Sequence, residues 1–273
     1  MNEWQTLLFG NPQILDLLTG SHALIFWVVL FFAAGFAGFV DAMAGGGGMI
    51  ILPVLLATGF PPHLALGTSK LQASFGAVTA AYHYRKGGFV QFRKLWLGVL
   101  ATAIGAVIGT FTVGRIDGQA LKFLIPLLLA GILIFMVIRP RFGLDPGPAR
   151  IKAPVFWVVA GLLLGFYDGF FGPGTGSFWA MGLVAFAGME LAGATAHTKV
   201  VNATSNLVSL VVFLLAGTVA ILPGLIMGAA QIIGAWQGSR MVMKRGASFV
   251  RIVLLSATAL MTGWLVIRYI VHL

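Results

Sequence analysis

The chain contains no cysteine. That removes disulfides, thiolate metal sites and cysteine nucleophiles together, and by itself says little about compartment. Charge is nearly as scarce, with 9% of residues charged against about 25% in soluble domains. Neither a Walker A loop nor an HExxH or GxSxG pattern occurs, so the residues that usually serve ATP-driven transport and membrane proteolysis are missing. The loop GPGTG (172–176) is the nearest thing to a dinucleotide signature, but it follows an apolar run and has no βαβ unit around it. The expectation is a non-enzyme without cofactor or metal.

What fills the chain is apolar: 59% of its 273 residues are hydrophobic. The apolar windows are continuous, as membrane helices require, and do not alternate as barrel strands do. The fold class expected is therefore an all-α polytopic membrane protein. Ten segments are predicted, over 22–40, 48–60, 64–84, 94–114, 120–138, 153–171, 175–189, 192–216, 219–239 and 250–271. Two of them, 48–60 and 175–189, are short, follow glycine-rich interruptions and need not cross the whole bilayer. Residues 1–21 have no basic n-region and no small-residue cleavage site, and are expected to form a retained polar or interfacial lead-in.

The formal net charge of +10 does not indicate nucleic acid, because no soluble element carries a basic face. The basic residues instead cluster between apolar windows: Arg85, Lys86, Arg93 and Lys94; Arg139, Arg141, Arg150 and Lys152; Arg240, Lys244, Arg245 and Arg251. These connections are expected to be cytoplasmic, which places both termini outside.

Shifting the second half back by 127 to 129 positions superimposes GFVDAMAGGGG (38–48) on GFYDGFFGPGT (165–175) and TSKLQAS (68–74) on HTKVVNA (197–203). Asp41 then matches Asp168, Lys70 matches Lys199, and the pair Gly105 and Gly109 matches Gly234 and Gly238. Each half holds five segments, an odd number, so the second must enter from the opposite side. The expected organisation is a first repeat over 22–139, a cytoplasmic linker over 140–152 and an inverted second repeat over 153–273. Inverted repeats with short or interrupted helices are the architecture of secondary transporters, whose sites lie near the midplane where the repeats meet.

Four charged residues in matched positions inside the membrane ask for a role, since each costs roughly 2.5–3.5 kcal/mol at mid-bilayer. Snorkelling of the lysines to the interface is the bland alternative. Thr195, Lys199, Asn202, Asn206 and Ser209 form one helical stripe, suited either to lining a cavity or to helix packing. Glycine-rich turns leading into short helices expose backbone N–H groups and the positive end of the helix dipole, which attract anions. The substrate-binding candidates are Gly45, Gly46, Gly47, Gly48, Lys70, Gly174, Thr175, Gly176, Ser177, Lys199, Asn202 and Asn206. Asp41 and Asp168 would hold the turns, pair with the lysines or take up protons; His63 and His197 flank the same regions, and His197 is a candidate for coupling or support.

The stretches GFVDAMAGGGGMIILP, GTSKLQA, GFYDGFFGPGTGSF and TAHTKVVNATSN, in this order, resemble the TauE/SafE family of sulfite exporters, also called the toluene sulfonate uptake permease family, and within it the bacterial inner-membrane branch of probable membrane transporters. The resemblance runs over about 22–270. It implies a permease of the inner membrane that moves sulfite, sulfonates or related sulfur-containing anions without ATP. The family's proline after the glycine turn is Pro53 here, while the second half has GPGTG and no such proline. The expected partners are a small anion of the sulfite and sulfonate class and the lipid bilayer, with a homodimer left open. An anion channel of the same architecture and a membrane protein that binds a partner helix without transporting are the alternatives.

Overall fold

The computed structural model describes residues 23–138 and 147–245, together with Leu15, Thr19 and Gly20. The expected segment 250–271, both termini and much of the 140–152 linker lie outside them. Every described element is helical. In chain order they are α1 (Ala23–Ala44), α2 (Gly47–Ala57), α3 (Pro62–Lys86), a 3₁₀ turn (Phe92–Lys94), α4 (Trp96–Gly114), α5 (Gly118–Ile138), α6 (Ala153–Phe170), α7 (Thr175–Ala185), α8 (Leu191–Leu215) and α9 (Ile221–Arg245).

Helices α1, α4, α6, α8 and α9 are long and apolar enough to cross a membrane. By contrast α2 and α7 have 11 residues each, roughly 16 Å at 1.5 Å per residue, about half of a 30 Å hydrocarbon core. The two short segments thus reach only part of the way through. Their starts are glycine turns whose N-cap residues, Gly46 and Gly174, have no side chain with which to cap the helix.

Polarity is arranged inside out relative to a soluble protein. On α4 the large apolar residues Leu100, Ile104, Ile108 and Phe111 point outward, as do Val155, Val159 and Leu163 on α6, stripes of helical period suited to acyl chains. The same helices turn Thr102 and Thr110, and Asp168, inward. The centre also buries Lys70, Gln72, Lys199, Asn202, Ser205, Asn206 and Gln231.

Glycine decides which helices meet. On α4, a methyl group at Gly105 would lie 2.4 Å from the Leu162 carbonyl oxygen of α6, and one at Gly109 would lie 2.0 Å from that of Phe166. On α9, Gly234 and Gly238 press in the same way on the Gly35 and Phe39 carbonyls of α1. Such small-residue faces let backbones touch, the main source of helix adhesion in lipid. The fourth helix of each half therefore packs against the first helix of the other half.

Candidate functional site

The two glycine-rich turns touch. Gly45, at φ 73°, closes α1, and any Cβ there would lie 2.3–2.5 Å from the Gly176 and Ser177 backbone. Gly176 in turn lies against Gly45, and Gly48 against Pro173. A left-handed backbone at the point of closest approach leaves room only for glycine. The starts of α2 and α7 consequently meet, bringing two positive helix ends together.

Beside them lie two ion pairs. Lys70 Nζ of α3 donates to Asp168 Oδ1 of α6 at 2.7 Å and to the Asp168 main-chain oxygen at 2.5 Å. Ser205 Oγ of α8 donates to the other carboxylate oxygen of Asp168. Lys199 Nζ of α8 donates to Asp41 Oδ2 of α1 at 3.0 Å, and the Gly47 N–H donates to Asp41 Oδ1 at 3.3 Å. Each pair joins one half to the other. Lys70 is 3% exposed and Lys199 0%, so neither lysine snorkels to an interface. A buried charge of this kind persists only when its partner is present, and each carboxylate supplies that partner. Of the three roles open to the aspartates, pairing with lysine is present at both, and holding a turn N–H is present at Asp41.

Between the pairs lies a cavity of about 40 Å³, room for a few water molecules at roughly 10–15 Å³ each. Of the expected residues, Asp41, Gly45, Gly48, Lys70, Asp168, Thr175, Gly176, Asn202 and Asn206 line it. Gly46, Gly47, Gly174, Ser177 and Lys199 do not line it. The helical turn points them elsewhere: Gly47 packs back on Asp41 Cβ and the Ala37 carbonyl, and Gly174 faces Ile132. Lys199 connects to the cavity through Asp41.

His197 lies outside this centre. Its Nδ1 is 2.8 Å from the Gly193 carbonyl oxygen, and its Nε2 accepts the Gln91 N–H at 3.5 Å. It lines a separate pocket of about 420 Å³ with Arg93 and Trp157. The matching residue in the first half, Thr68, accepts the Ala220 N–H through its hydroxyl at 3.0 Å. The same main-chain link is thus made by a hydroxyl in one half and an imidazole in the other. His63 Nε2 is likewise engaged by a carbonyl oxygen, that of Ile116, at 3.0 Å.

Sequence reasoning missed Gln72, Gln231 and Ser205. Both glutamines line the cavity, and Gln72 Oε1, Gln231 Oε1 and Asn202 Oδ1 are buried without a hydrogen-bond partner. Orphaned buried acceptors are rare in folded proteins and call for a ligand or water. Gln231 had a legible signal, being the first polar residue in the apolar run that begins at Ile221. Its seat was not legible, because it is a notch formed by Gly38 of α1 and Gly76 of α3.

An apolar outer surface and, among the described residues, five helices long and apolar enough to cross a membrane mark a polytopic membrane protein, in which two half-length helices meet at a buried polar centre. The profile described as "Sulfite exporter TauE/SafE" matches residues 30–265, and the chain belongs to that family. It is similar to a "Probable membrane transporter protein" of Haemophilus influenzae, 39% identical over 240 residues, which cover 88% of this chain and 94% of the relative. "Probable membrane transporter protein ORF9" of Sinorhizobium sp. is 43% identical over 230 residues, covering 84% and 87%. "Probable membrane transporter protein YfcA" of Escherichia coli is 38% identical over 235 residues, covering 86% and 87%. No solved structure matches the chain.

Proposed function

We propose that the protein is a secondary transporter that moves a small sulfur-containing oxyanion, sulfite or an organosulfonate, across the bacterial inner membrane by alternating access. The observation that carries this reading is the meeting of two half-length helix starts, one from each half, beside two buried lysines. Backbone N–H groups, helix dipoles and lysine are what an oxyanion needs. The family description supports the sulfur-containing class.

The contacts also support inverted repeats. The starts of α4, α6 and α8 converge on the pocket of Trp96, Trp157 and His197. The start of α3 lies instead against the end of α8, with Gly67 on Phe213, and beside the end of α4, with His63 on Ile116. Helix α3 thus runs opposite to its counterpart α8. Described members of the three basic clusters gather at one end as well: Arg93 shares the pocket that α6 enters just after Lys152, and Gly87, next to Lys86, contacts Met243, next to Lys244. That end is read as cytoplasmic, with both termini outside.

Counterflow of sulfite in reconstituted vesicles tests the reading. Lys199→Ala, and separately Lys70→Met combined with Asp168→Leu so that no charge is left unpaired, are expected to lower counterflow at least roughly tenfold, about 1.4 kcal/mol, with elution profiles unchanged. Undiminished counterflow in both would defeat the central claim. Currents without counterflow would identify a channel. Thermal stabilisation of the solubilised protein by sulfite, thiosulfate, sulfoacetate, taurine or sulfate would rank the anions.

A further inference from the structure

The two Lys–Asp pairs occupy matched positions but are held unequally. Asp168 takes Lys70 and Ser205 on its carboxylate, and its side chain is 4% exposed. Asp41 takes Lys199 and one long bond from the Gly47 N–H, and its side chain is 19% exposed. The position matching Ser205 in the first half is Gly76, which has no hydroxyl to offer. Asp41 lines the cavity, whereas Lys199, bonded to it, does not. An anion that enters the cavity meets Asp41 before it meets Lys199.

The four charged groups of the centre balance: two lysines and two carboxylates. Adding an anion leaves one uncompensated negative charge in a space with room for a few waters, a costly state in a low-dielectric interior. Two anionic groups cannot both claim Lys199. Resting on the anion-transport reading above, we propose that Asp41 is the exchangeable partner of Lys199 and carries the coupling proton. A proton from the aqueous side converts the Asp41 carboxylate to the neutral acid, Lys199 turns to the substrate anion, and one proton travels with each anion. On the far side the anion leaves, Asp41 returns its proton to water, and the Lys199–Asp41 pair re-forms. Proton and anion binding then reinforce each other, by the reciprocity that links any two coupled ligands.

Among the described residues no other titrating group competes for this role around Asp41. From α3 it is faced by Tyr84, whose hydroxyl is bonded to the Ala42 carbonyl, and by Lys70 across the cavity. From α6 there is Asp168, already holding Lys70 and Ser205. From α8 there is Lys199, while His197, two residues away, is engaged at Gln91 and Gly193. Helices α2, α7 and α9 present Gly48, Thr175, Gly176 and Gln231 to the same cavity.

The test uses the full chain in vesicles, with protein-free vesicles as baseline. Wild-type protein is expected to catalyse sulfite counterflow at equal pH, and to accumulate sulfite on the alkaline side by up to roughly tenfold per unit of pH gradient. Asp41→Asn is expected to lose the gradient-driven accumulation. Infrared difference spectra of the solubilised protein should show the carbonyl band of a protonated carboxylic acid on adding sulfite, absent in Asp41→Asn. Accumulation that survives in Asp41→Asn overturns the proposal. If that variant does not fold or carries no sulfite, the wild-type spectrum decides, and the absence of the acid band overturns the proposal. No counterflow by the wild type defeats the anion reading itself and this proposal with it.

Discussion

The turn after α6 is tied down by several side chains, while the turn after α1 has fewer, Lys199 on Asp41 and Tyr84 on the Ala42 carbonyl. In the second turn Tyr167 OH holds the Pro173 carbonyl at 2.6 Å, Thr175 Oγ1 holds the Gly172 carbonyl at 2.6 Å, and Ser205 and Lys70 brace Asp168. In the first turn four glycines stand in series, the Gly45 N–H bonds the Asp41 carbonyl at 2.9 Å, and Gly47 and Lys199 reach the Asp41 side chain. Two elements of common pattern are thus braced unequally, from which a rigid turn after α6 and a compliant one after α1 are expected. A carrier that opens to either side can use such a difference, since the rigid side keeps register while the compliant side rearranges.

Removing one partner of the rigid pair should have the largest effect. Asp168→Ala leaves Lys70 buried and unpaired, and a loss of about 3–5 kcal/mol is expected, read as failure to recover a monodisperse protein. Asp41→Ala should be milder, because removing the side chain that lines the cavity opens that space onto Lys199, which is otherwise buried. Equal losses from the two would erase the proposed division between rigid and compliant turns. Next comes Gly45→Ala, which forces a side chain into a left-handed backbone at roughly 1–2 kcal/mol and drives the two turns apart. Gly46→Ala, facing the flexible end of Met49, should be nearly silent in melting temperature and flux. Tyr167→Phe removes one hydroxyl from the rigid turn and should cost about 1 kcal/mol in denaturant unfolding. The smallest change is expected from His197→Thr, which copies Thr68 of the first half. It should leave the pH dependence of flux where it was, and a shifted pH profile would return His197 to the coupling role.

Most helix positions were readable as long apolar runs with sharp ends, and the two short ones by the glycine turns before them. Segments expected over 94–114 and 192–216 became Trp96–Gly114 and Leu191–Leu215. The ninth, expected over 219–239, runs on to Arg245, and the first runs on to Ala44, because Asp41 sits within the last helical turn and its pairing with Lys199 removes the usual penalty for charge there. Matching the two halves picked out all four central charges. It could not reveal that each lysine pairs with the aspartate of the other half, since that depends on the exchange of helix partners. Gln72 and Gln231 escaped because their counterparts, Val201 and Thr102, broke the matched pattern, and because the glycines that seat Gln231 lie on other helices.

The exchange of partners between the halves has a consequence for biosynthesis. Helix α4 emerges from the ribosome well before α6 and must wait in lipid with its Gly105 and Gly109 face uncovered. Helix α1 waits longer still, since α9 arrives almost 200 residues later in the chain. Neither half can therefore complete its own packing, and assembly is dominated by non-local contacts, the regime of slow folding. Expressed as two separate chains, the halves should be degraded singly and rescued together.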